Sequence, residues 1–387
     1  MTVAMLPRQH NHLGDSHRSI PVGSDLTRAE KAVSLPLVVA PRRVFTFVPA
    51  HNEQDNIAGA IESLIAQSRC PDEIVIVADN CTDLTREIAD RYPVIVLVTK
   101  DNTGKKAGAL NQALALYLGL LEPSDMVLVM DADTTLDEAF LETAEHYINA
   151  GYAGVGGTFT GKEGGGFLGM LQRNEYARYS RDVSRRRGKA LVLTGTATAF
   201  QVGVLRNVVR ARAAGRLPGT PGVYDTHVLT EDNELTLALL HLGWPIIAPA
   251  ECSMTTEVME SWGDLYRQRL RWKRGALENL VDYGLTRVTL RYWLRQVWTL
   301  IGLMVTAVYL LSVVVSLFKI GSLRLHPIWL VVALVFSAER VITVRRRGGS
   351  QMLLSALLVV EMPYDIYLQG VHLKALFDTL TRRKGSW

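Results

Sequence analysis

Asp131 and Asp133 stand two residues apart, directly after the apolar run Met126-Val127-Leu128-Val129-Met130. In an extended chain, positions i and i+2 point to the same side, so the two carboxylates form a hard-oxygen pair. Such a pair suits Mg²⁺ or Mn²⁺ bridging a diphosphate. A solvated turn is the plain alternative for Asp-x-Asp taken alone, and its place at the end of an apolar strand favours the site. Asp79 closes another apolar run, Ile74 to Ala78. A carboxylate there can accept a hydrogen bond from a nucleobase N–H, while Thr82 or Asp83 in the same turn can cap the following helix. Both roles can hold at once.

Four further stretches carry similar potential. Pro49-Ala50-His51-Asn52-Glu53 ends a third apolar run, and Glu53 can reach a ribose or base, with a helix cap as the equal alternative. Lys105 and Lys106 begin a helix-length segment. Positive charge there runs against the helix dipole, so a nearby anion explains it better than helix stability does. Thr230-Glu231-Asp232 opens another such segment, where a carboxylate can take a proton from an attacking sugar hydroxyl. Locally, a capping Thr with acidic first-turn residues is the simpler account. In Gln268-Arg269-Leu270-Arg271-Trp272, a helix would put Gln268, Arg271 and Trp272 on one face. An aromatic ring that stacks, a permanent cation and an orienting amide suit a sugar diphosphate. An interfacial helix meeting lipid headgroups would use the same residue types.

The elements that must position these groups follow from hydrophobic patterning. Val44 to Val48, Ile74 to Ala78, Val94 to Val98 and Met126 to Met130 are short, β-branched-rich runs. Helix-length segments separate them: Asn56 to Gln67, Thr82 to Tyr92 and Lys105 to Leu121. Continuous apolar strands alternating with helices predict an α/β domain with a mostly parallel sheet covered on both faces. Such sheets bind ligands beyond the carboxyl ends of their strands, which is where His51 to Glu53, Asp79 and Asp131 to Asp133 fall. The Gly-rich residues 151–166 lack a Gly-Lys-Ser/Thr ending and are expected to form a turn.

Hydrophobic residues make up 48% of the chain and are unevenly placed. Residues 1–40 are polar, are expected to be disordered, and hold no apolar stretch of signal-peptide length, so neither secretion nor an N-terminal anchor is expected. Residues 41–256 read as a cytosolic catalytic domain and 257–297 as interfacial amphipathic helices. Residues 298–387 read as a membrane region, with spans at about 298–318 and 328–344. A third apolar segment, 352–372, contains Glu361, Pro363 and Asp365 and is expected either to span or to re-enter. Arg and Lys gather beside these segments, at Arg269, Arg271, Lys273, Arg274, Arg291, Arg295 and Arg345 to Arg347. That placement puts residues 1–297 and the 345–347 cluster on the cytosolic side of the plasma membrane. A net charge of +4 is too small to argue for nucleic acid. Three widely spaced cysteines, Cys70, Cys81 and Cys252, make neither a disulfide framework nor a zinc pattern.

Taken in order, Pro-Ala-His-Asn-Glu (49–53), Ala-Asp-Asn-Cys-Thr-Asp (78–83), Lys-Ala-Gly-Ala-Leu-Asn (106–111), Asp-Ala-Asp (131–133), Thr-Glu-Asp (230–232) and Gln-Arg-Leu-Arg-Trp (268–272) resemble the processive, membrane-integrated family-2 glycosyltransferases. That group includes the chitin, cellulose, hyaluronan and poly-N-acetylglucosamine synthases. The resemblance implies a GT-A nucleotide-binding fold and an inverting transfer from a UDP-sugar to a growing glycan at the membrane. It implies Asp232 as catalytic base and Asp131 and Asp133 as holders of Mg²⁺ or Mn²⁺. Donor contacts would fall to Ala50, Asn52, Glu53, Asp79 (to uracil), Lys106, Asp131, Gln268 and Arg271. Acceptor contacts would fall to Gly195, Thr196, Glu231 and Trp272. Ala78 and Cys81 stand where many members carry Asp and Ser, which leaves Asp79 as the matching acid before that turn. The partners implied are the UDP-sugar, a glycan or lipid acceptor, the membrane and, as an option, further copies of the chain. Two alternatives remain. One is a single-transfer enzyme acting on a polyprenyl phosphate or other lipid, against which the Gln-Arg-Leu-Arg-Trp stretch stands. The other is a membrane-anchored nucleotide-sugar sensor without turnover, which the metal carboxylates and candidate base disfavour.

Overall fold

Alternation along the apolar strands decides the architecture. In the computed structural model, which describes residues 42–320 and 327–381, ten strands form two sheets. They are β1 (Val44–Ala50), β2 (Glu73–Ala78), β3 (Ile95–Val98), β4 (Met126–Met130), β5 (Thr135–Leu136), β6 (Gly154–Gly156), β7 (Thr158–Gly161), β8 (Ala197–Gln201), β9 (Ile246–Ile247) and β10 (Ser253–Thr256). The larger sheet runs β3-β2-β1-β4-β8-β6-β9, and the smaller β5-β10-β7. Strands β3, β2, β1 and β4 are parallel, β8 is antiparallel to both β4 and β6, and β9 is again parallel to β6. Phe45, Phe47, Val75, Val77, Val127 and Val129 face one core layer. Val44, Val48, Ile74, Ile76, Met126 and Leu128 face the other. A strand buried on both faces has room for few polar residues, which is why these runs read as near-continuous apolar blocks, with Thr46 in β1 the exception.

The described residues hold twelve α-helices: α1 (Ile57–Ile65), α2 (Thr85–Ala89), α3 (Lys105–Tyr117), α4 (Phe140–Asn149), α5 (Gly166–Arg185), α6 (Val202–Ala213), α7 (Glu231–His241), α8 (Trp262–Tyr283), α9 (Leu290–Ile320), α10 (Pro327–Val344), α11 (Gly349–Ala356) and α12 (Leu358–Leu380). Helices α1 and α4 cover one face of the main sheet; α3, α6 and α7 cover the other. Ile57, Ile61 and Leu64 on α1 follow the i, i+4, i+7 stripe and are wholly buried, each contributing about 1.5–3 kcal/mol. Helix α8 starts at Ser261, whose Oγ accepts from the Asp264 N–H at 3.1 Å, an ordinary N-cap.

Three expectations change. The Gly-rich stretch 151–166 is not merely a turn: it supplies β6 and β7. Its glycines serve close packing, since a Cβ on Gly154 would lie 2.6 Å from Leu193 Cδ1. The helix expected over Thr82 to Tyr92 shrinks to α2, because Asp83 holds the preceding loop by accepting from the Gln54 and Thr85 N–H groups. The boundary drawn at residue 297 falls inside α9, one continuous helix from Leu290.

The first 41 residues lie outside the described residues, as do 321–326, between the two expected spans, and the basic tail 382–387. Among the described residues one helix is long and apolar enough to cross a membrane. It covers Leu290–Ser316, has mean hydropathy 2.2, and keeps none of its apolar window buried. Helices α11 and α12, the third apolar segment, bend by 72° at their junction and would count together as one broken span or a re-entrant pair.

Candidate active site

Because β1, β2 and β4 are parallel, their carboxyl ends open on one edge, and the antiparallel β8 begins there. The loop after β1 carries Asn52 in the left-handed region, with φ 57°, a conformation Asn tolerates. Its Oδ1 accepts from the Thr82 N–H at 2.8 Å, so Asn52 ties the first loop to the second. Ala50 is buried, and its carbonyl accepts from the Asp79 N–H. Asp79 is buried as well. Its Oδ1 takes Thr99 Oγ1 at 2.7 Å, Asn102 Nδ2 at 2.8 Å and Asn80 Nδ2 at 3.1 Å. Three donors on one oxygen fix the carboxylate plane and orient Oδ2 as its second acceptor atom.

The Asp131-Ala132-Asp133 pair sits on a turn, not on the strand itself. The strand ends at Met130, and the Thr134 N–H closes on the Asp131 carbonyl at 3.3 Å. Burial first, then the Asp131 charge, pushes the Asp133 carboxyl up to about 7, with Glu53 and Glu257 adding to the repulsion. Glu53 is likewise raised, chiefly by burial, then by the charges of Glu257, Asp131 and Asp83, against the opposing hydrogen bond from Asn56. Among the described residues no three His, Cys, Asp or Glu side chains gather closely enough to hold an ion unaided. Mg²⁺ and Mn²⁺ need no such cage, since one or two carboxylates with substrate phosphates and water suffice. A cation would relieve the repulsion at Asp133, so the donor set fits a hard divalent ion.

Lys106 meets two carboxylates and a backbone carbonyl at once. Its Nζ lies 2.5 Å from Asp131 Oδ1 and 3.3 Å from Glu231 Oε1, and donates to the Gly195 carbonyl at 3.0 Å. Burial opposes its charge, but Asp131, Glu231 and Asp232 outweigh that and raise its pKa. The anion that Lys106 requires is therefore supplied by the chain itself. Asp232 lies in the first turn of α7, where Oδ2 accepts from the Gly195 N–H at 2.8 Å and Oδ1 from the Asn233 N–H at 2.8 Å. Burial and the neighbouring Glu231 push its carboxyl up to about 6 against the pull of Lys106. Gly195 is closely packed: a Cβ there would meet Lys106 Nζ at 3.0 Å and Asp232 Oδ2 at 3.4 Å, so both side chains would have to give by a few tenths of an ångström. The Thr196 carbonyl accepts from the Asp131 N–H, locking β8 to the acidic turn. Thr230 is not a side-chain cap of α7; its Oγ1 and carbonyl accept from Asn279 Nδ2, joining α7 to α8.

Gln268, Arg271 and Trp272 do share a helix, α8, with Arg271 exposed and the other two partly buried. Arg271 sits near Lys105, whose pKa is lowered by burial and by that guanidinium. Two cations drawn together at the acidic edge make a site for a multiply charged anion. The structure thus unites Lys106, Asp131, Gly195, Thr196, Glu231 and Asp232 by direct contact, with Asp133 and Glu53 in the same electrostatic field. Sequence reasoning missed three participants. Glu257 follows β10, whose Ser-Met-Thr-Thr run lacks the apolar pattern that marked the strand before Asp79. Tyr179 on α5, pushed up to about 12 by burial and the Asp232 charge, and Arg269, buried within α8, carry no local signal.

A mostly parallel sheet, a small companion sheet and an acidic edge facing a carboxylate at a helix start define the GT-A fold of nucleotide-sugar-dependent transferases. The chain belongs to the glycosyltransferase like family 2, whose family model matches residues 41–275. It is 29% identical over 261 residues to a poly-β-1,6-N-acetyl-D-glucosamine synthase of Staphylococcus aureus, covering 64% of this chain and 58% of that protein. The corresponding synthase of Staphylococcus epidermidis is 25% identical over 240 residues, covering 60% of this chain and 54% of that protein. The chain therefore spans little more than half the length of these curated relatives. Among solved structures, the mannosyltransferase PcManGT of Pyrobaculum calidifontis, in complex with GDP-Man and Mn²⁺, aligns with a TM-score of 0.52 at 16% identity over 89% of each chain. That likeness is one of fold.

Proposed function

We propose that this protein is an inverting, metal-dependent glycosyltransferase that moves a sugar from a UDP-sugar to a growing glycan at a membrane. The observation that carries this reading is the setting of Asp232: a carboxylate raised to about 6, aimed by the Gly195 N–H and joined through Lys106 to the acidic turn. A base of that pKa is ionised at neutral pH yet still basic enough to accept a proton. In this scheme Asp79 receives the nucleobase N–H, and Lys105 and Arg271 neutralise the diphosphate. A divalent ion held by Asp131 and Asp133 would supply Lewis-acid stabilisation of the leaving group. Trp272 stacks on the acceptor sugar while Asp232 takes the proton from its attacking hydroxyl. Among donors, kinship with the staphylococcal synthases favours UDP-N-acetylglucosamine and a poly-N-acetylglucosamine product.

The membrane assignment rests on α9, whose Trp298, Met304, Val305, Val308 and Leu311 stand bare of protein contacts that would otherwise cover them. By the positive-inside rule, the basic clusters favour a cytosolic side for the domain that precedes α9 and for Arg345 to Arg347.

The test is Asp232→Asn. UDP binding should stay near normal while transfer, read as UDP release and as product mass, falls at least about a hundredfold. If transfer survives and Glu231→Gln abolishes it, the base lies one residue earlier. If neither substitution matters, the Thr-Glu-Asp stretch is only the start of a helix and the reading fails.

A further inference from the structure

Arg269 is among the largest fully buried side chains of the molecule, and the catalytic scheme above leaves it without a task. Its Nη2 donates to Glu175 Oε2 on α5 at 2.9 Å, and its Nη1 to Gln268 Oε1 at 2.6 Å. The guanidinium also lies over the Trp272 ring, 4.4 Å from the centroid. The same Glu175 oxygen accepts from Tyr364 Oη on α12 at 2.6 Å. Two of the three exposed-face groups assigned to substrate, Gln268 and Trp272, are therefore held from behind by one cation. That cation is in turn held by a carboxylate shared with a C-terminal helix.

The joint between α5 and α12 is reinforced nearby. Glu361, one turn before Tyr364 and almost fully buried, accepts from Asn174 Nδ2 at 2.9 Å, Arg178 Nη1 at 2.9 Å and Ser355 Oγ at 3.0 Å. Arg340 on α10 donates to the same carboxylate. Buried, multiply bonded charge is costly to rearrange, so this joint acts as a rigid seat for Glu175.

We propose that the chain Tyr364–Glu175–Arg269 is a positioning device that presets the Trp272 ring for the acceptor and the adjacent Gln268 amide for the donor diphosphate, coupling the C-terminal helices to the transfer site. Arg269 does not touch substrate; it acts through its two neighbours. A planar guanidinium suits the task because it can bond a carboxylate and an amide in its plane while stacking an indole on its face. Lysine has no such face. Tyr364 contributes only through its hydroxyl, which limits rotation of the Glu175 carboxylate. The proposal rests on the transfer reading for its kinetic consequence, but not for its structural one.

Tyr364→Phe is the mildest probe, since it keeps the packing and deletes one hydrogen bond; Arg269→Lys keeps the charge and deletes the planar contacts. Both are compared with the wild-type full-length protein in lipid nanodiscs. Amide hydrogen exchange over residues 266–273 should speed up about tenfold in Tyr364→Phe and further in Arg269→Lys, with residues 105–117 unchanged. With UDP-N-acetylglucosamine and a β-1,6-linked N-acetylglucosamine pentamer, the acceptor KM should rise about tenfold and the donor KM by clearly less, about threefold. In a Trp272→Phe background, Tyr364→Phe should add little further loss. Unchanged exchange over 266–273 in both variants overturns the proposal, as does an equal loss in donor and acceptor KM or full additivity with Trp272→Phe. Inactivity of the wild type with this pair of substrates instead counts against the proposed function, and the exchange measurement still decides the positioning role.

Discussion

The acidic edge and helix α8 serve one reaction but are built in different ways. The edge is made by strand ends: Asp79, Asp131 and Asp133 each follow a buried run, and the parallel sheet aligns them without further instruction. Helix α8 presents Gln268, Arg271 and Trp272 by simple periodicity, but its seat depends on partners far away in the chain. Arg269 reaches Glu175 across 94 residues, and Tyr364 reaches the same oxygen across 189. The donor side is thus set by local order within a rigid sheet. The proposed acceptor side, Trp272 on α8, is set by packing between helices, some of them in the apolar C-terminal region. Binding of nucleobase and metal in such a molecule should be insensitive to the apolar C-terminal helices, and acceptor handling should depend on them.

Removal of the divalent ion gives the largest expected effect on the donor side. EDTA should abolish transfer, and added Mg²⁺ or Mn²⁺ should restore it, because the half-buried Asp133 and Asp131 repel a diphosphate of like charge unless a cation lies between them. Undiminished UDP release in chelator removes the metal role and with it the donor half of the comparison. Next come two substitutions expected to separate the halves. Asp79→Asn replaces a charge-assisted acceptor and should weaken UDP binding by about tenfold or more, by titration calorimetry, with the acceptor KM unchanged. Trp272→Ala should do the reverse. If both substitutions raise both constants alike, the two regions are one cooperative site and the division is wrong.

The unequal legibility of the two regions has the same origin. The strand Met126–Met130 reads to the residue from its apolar run, and the acids at its end follow from the sheet rule. The Asp131–Asp133 turn was less visible, because a turn and a strand extension share the Asp-x-Asp spelling. Lys106 pointed correctly to an anion, but which anion, Asp131 or a ligand, depends on a contact that no local pattern encodes. The short strands β6 and β7 escaped because their glycines give no alternation to read. Arg269 looked like one more interfacial cation, and only burial against Glu175 marks it otherwise.

Asp232 belongs to neither half alone, since Gly195 and Lys106 tie it to the edge while Thr230 and Asn279 tie the start of its helix to α8. It gives the smallest but sharpest prediction. A protonated carboxyl cannot accept the hydroxyl proton, so transfer should rise about tenfold per pH unit below about 6 and level above it. Stability should run the other way. The folded-state pKa is raised above the ordinary 3.8, so the folded protein holds this proton more tightly than the unfolded chain does. The resulting stabilisation is full below about pH 4 and is lost as pH rises through about 6. The wild-type Tm minus the Asp232→Asn Tm should therefore shrink between pH 4 and pH 7.5, by roughly 2–4 °C for each kcal/mol involved. A rate limb near 6 that persists in the residual activity of Asp232→Asn would assign the titration to another acid. A Tm difference that grows with pH would show that the carboxylate is stabilised as an anion, and Asp232 would then be too weak a base for the role proposed.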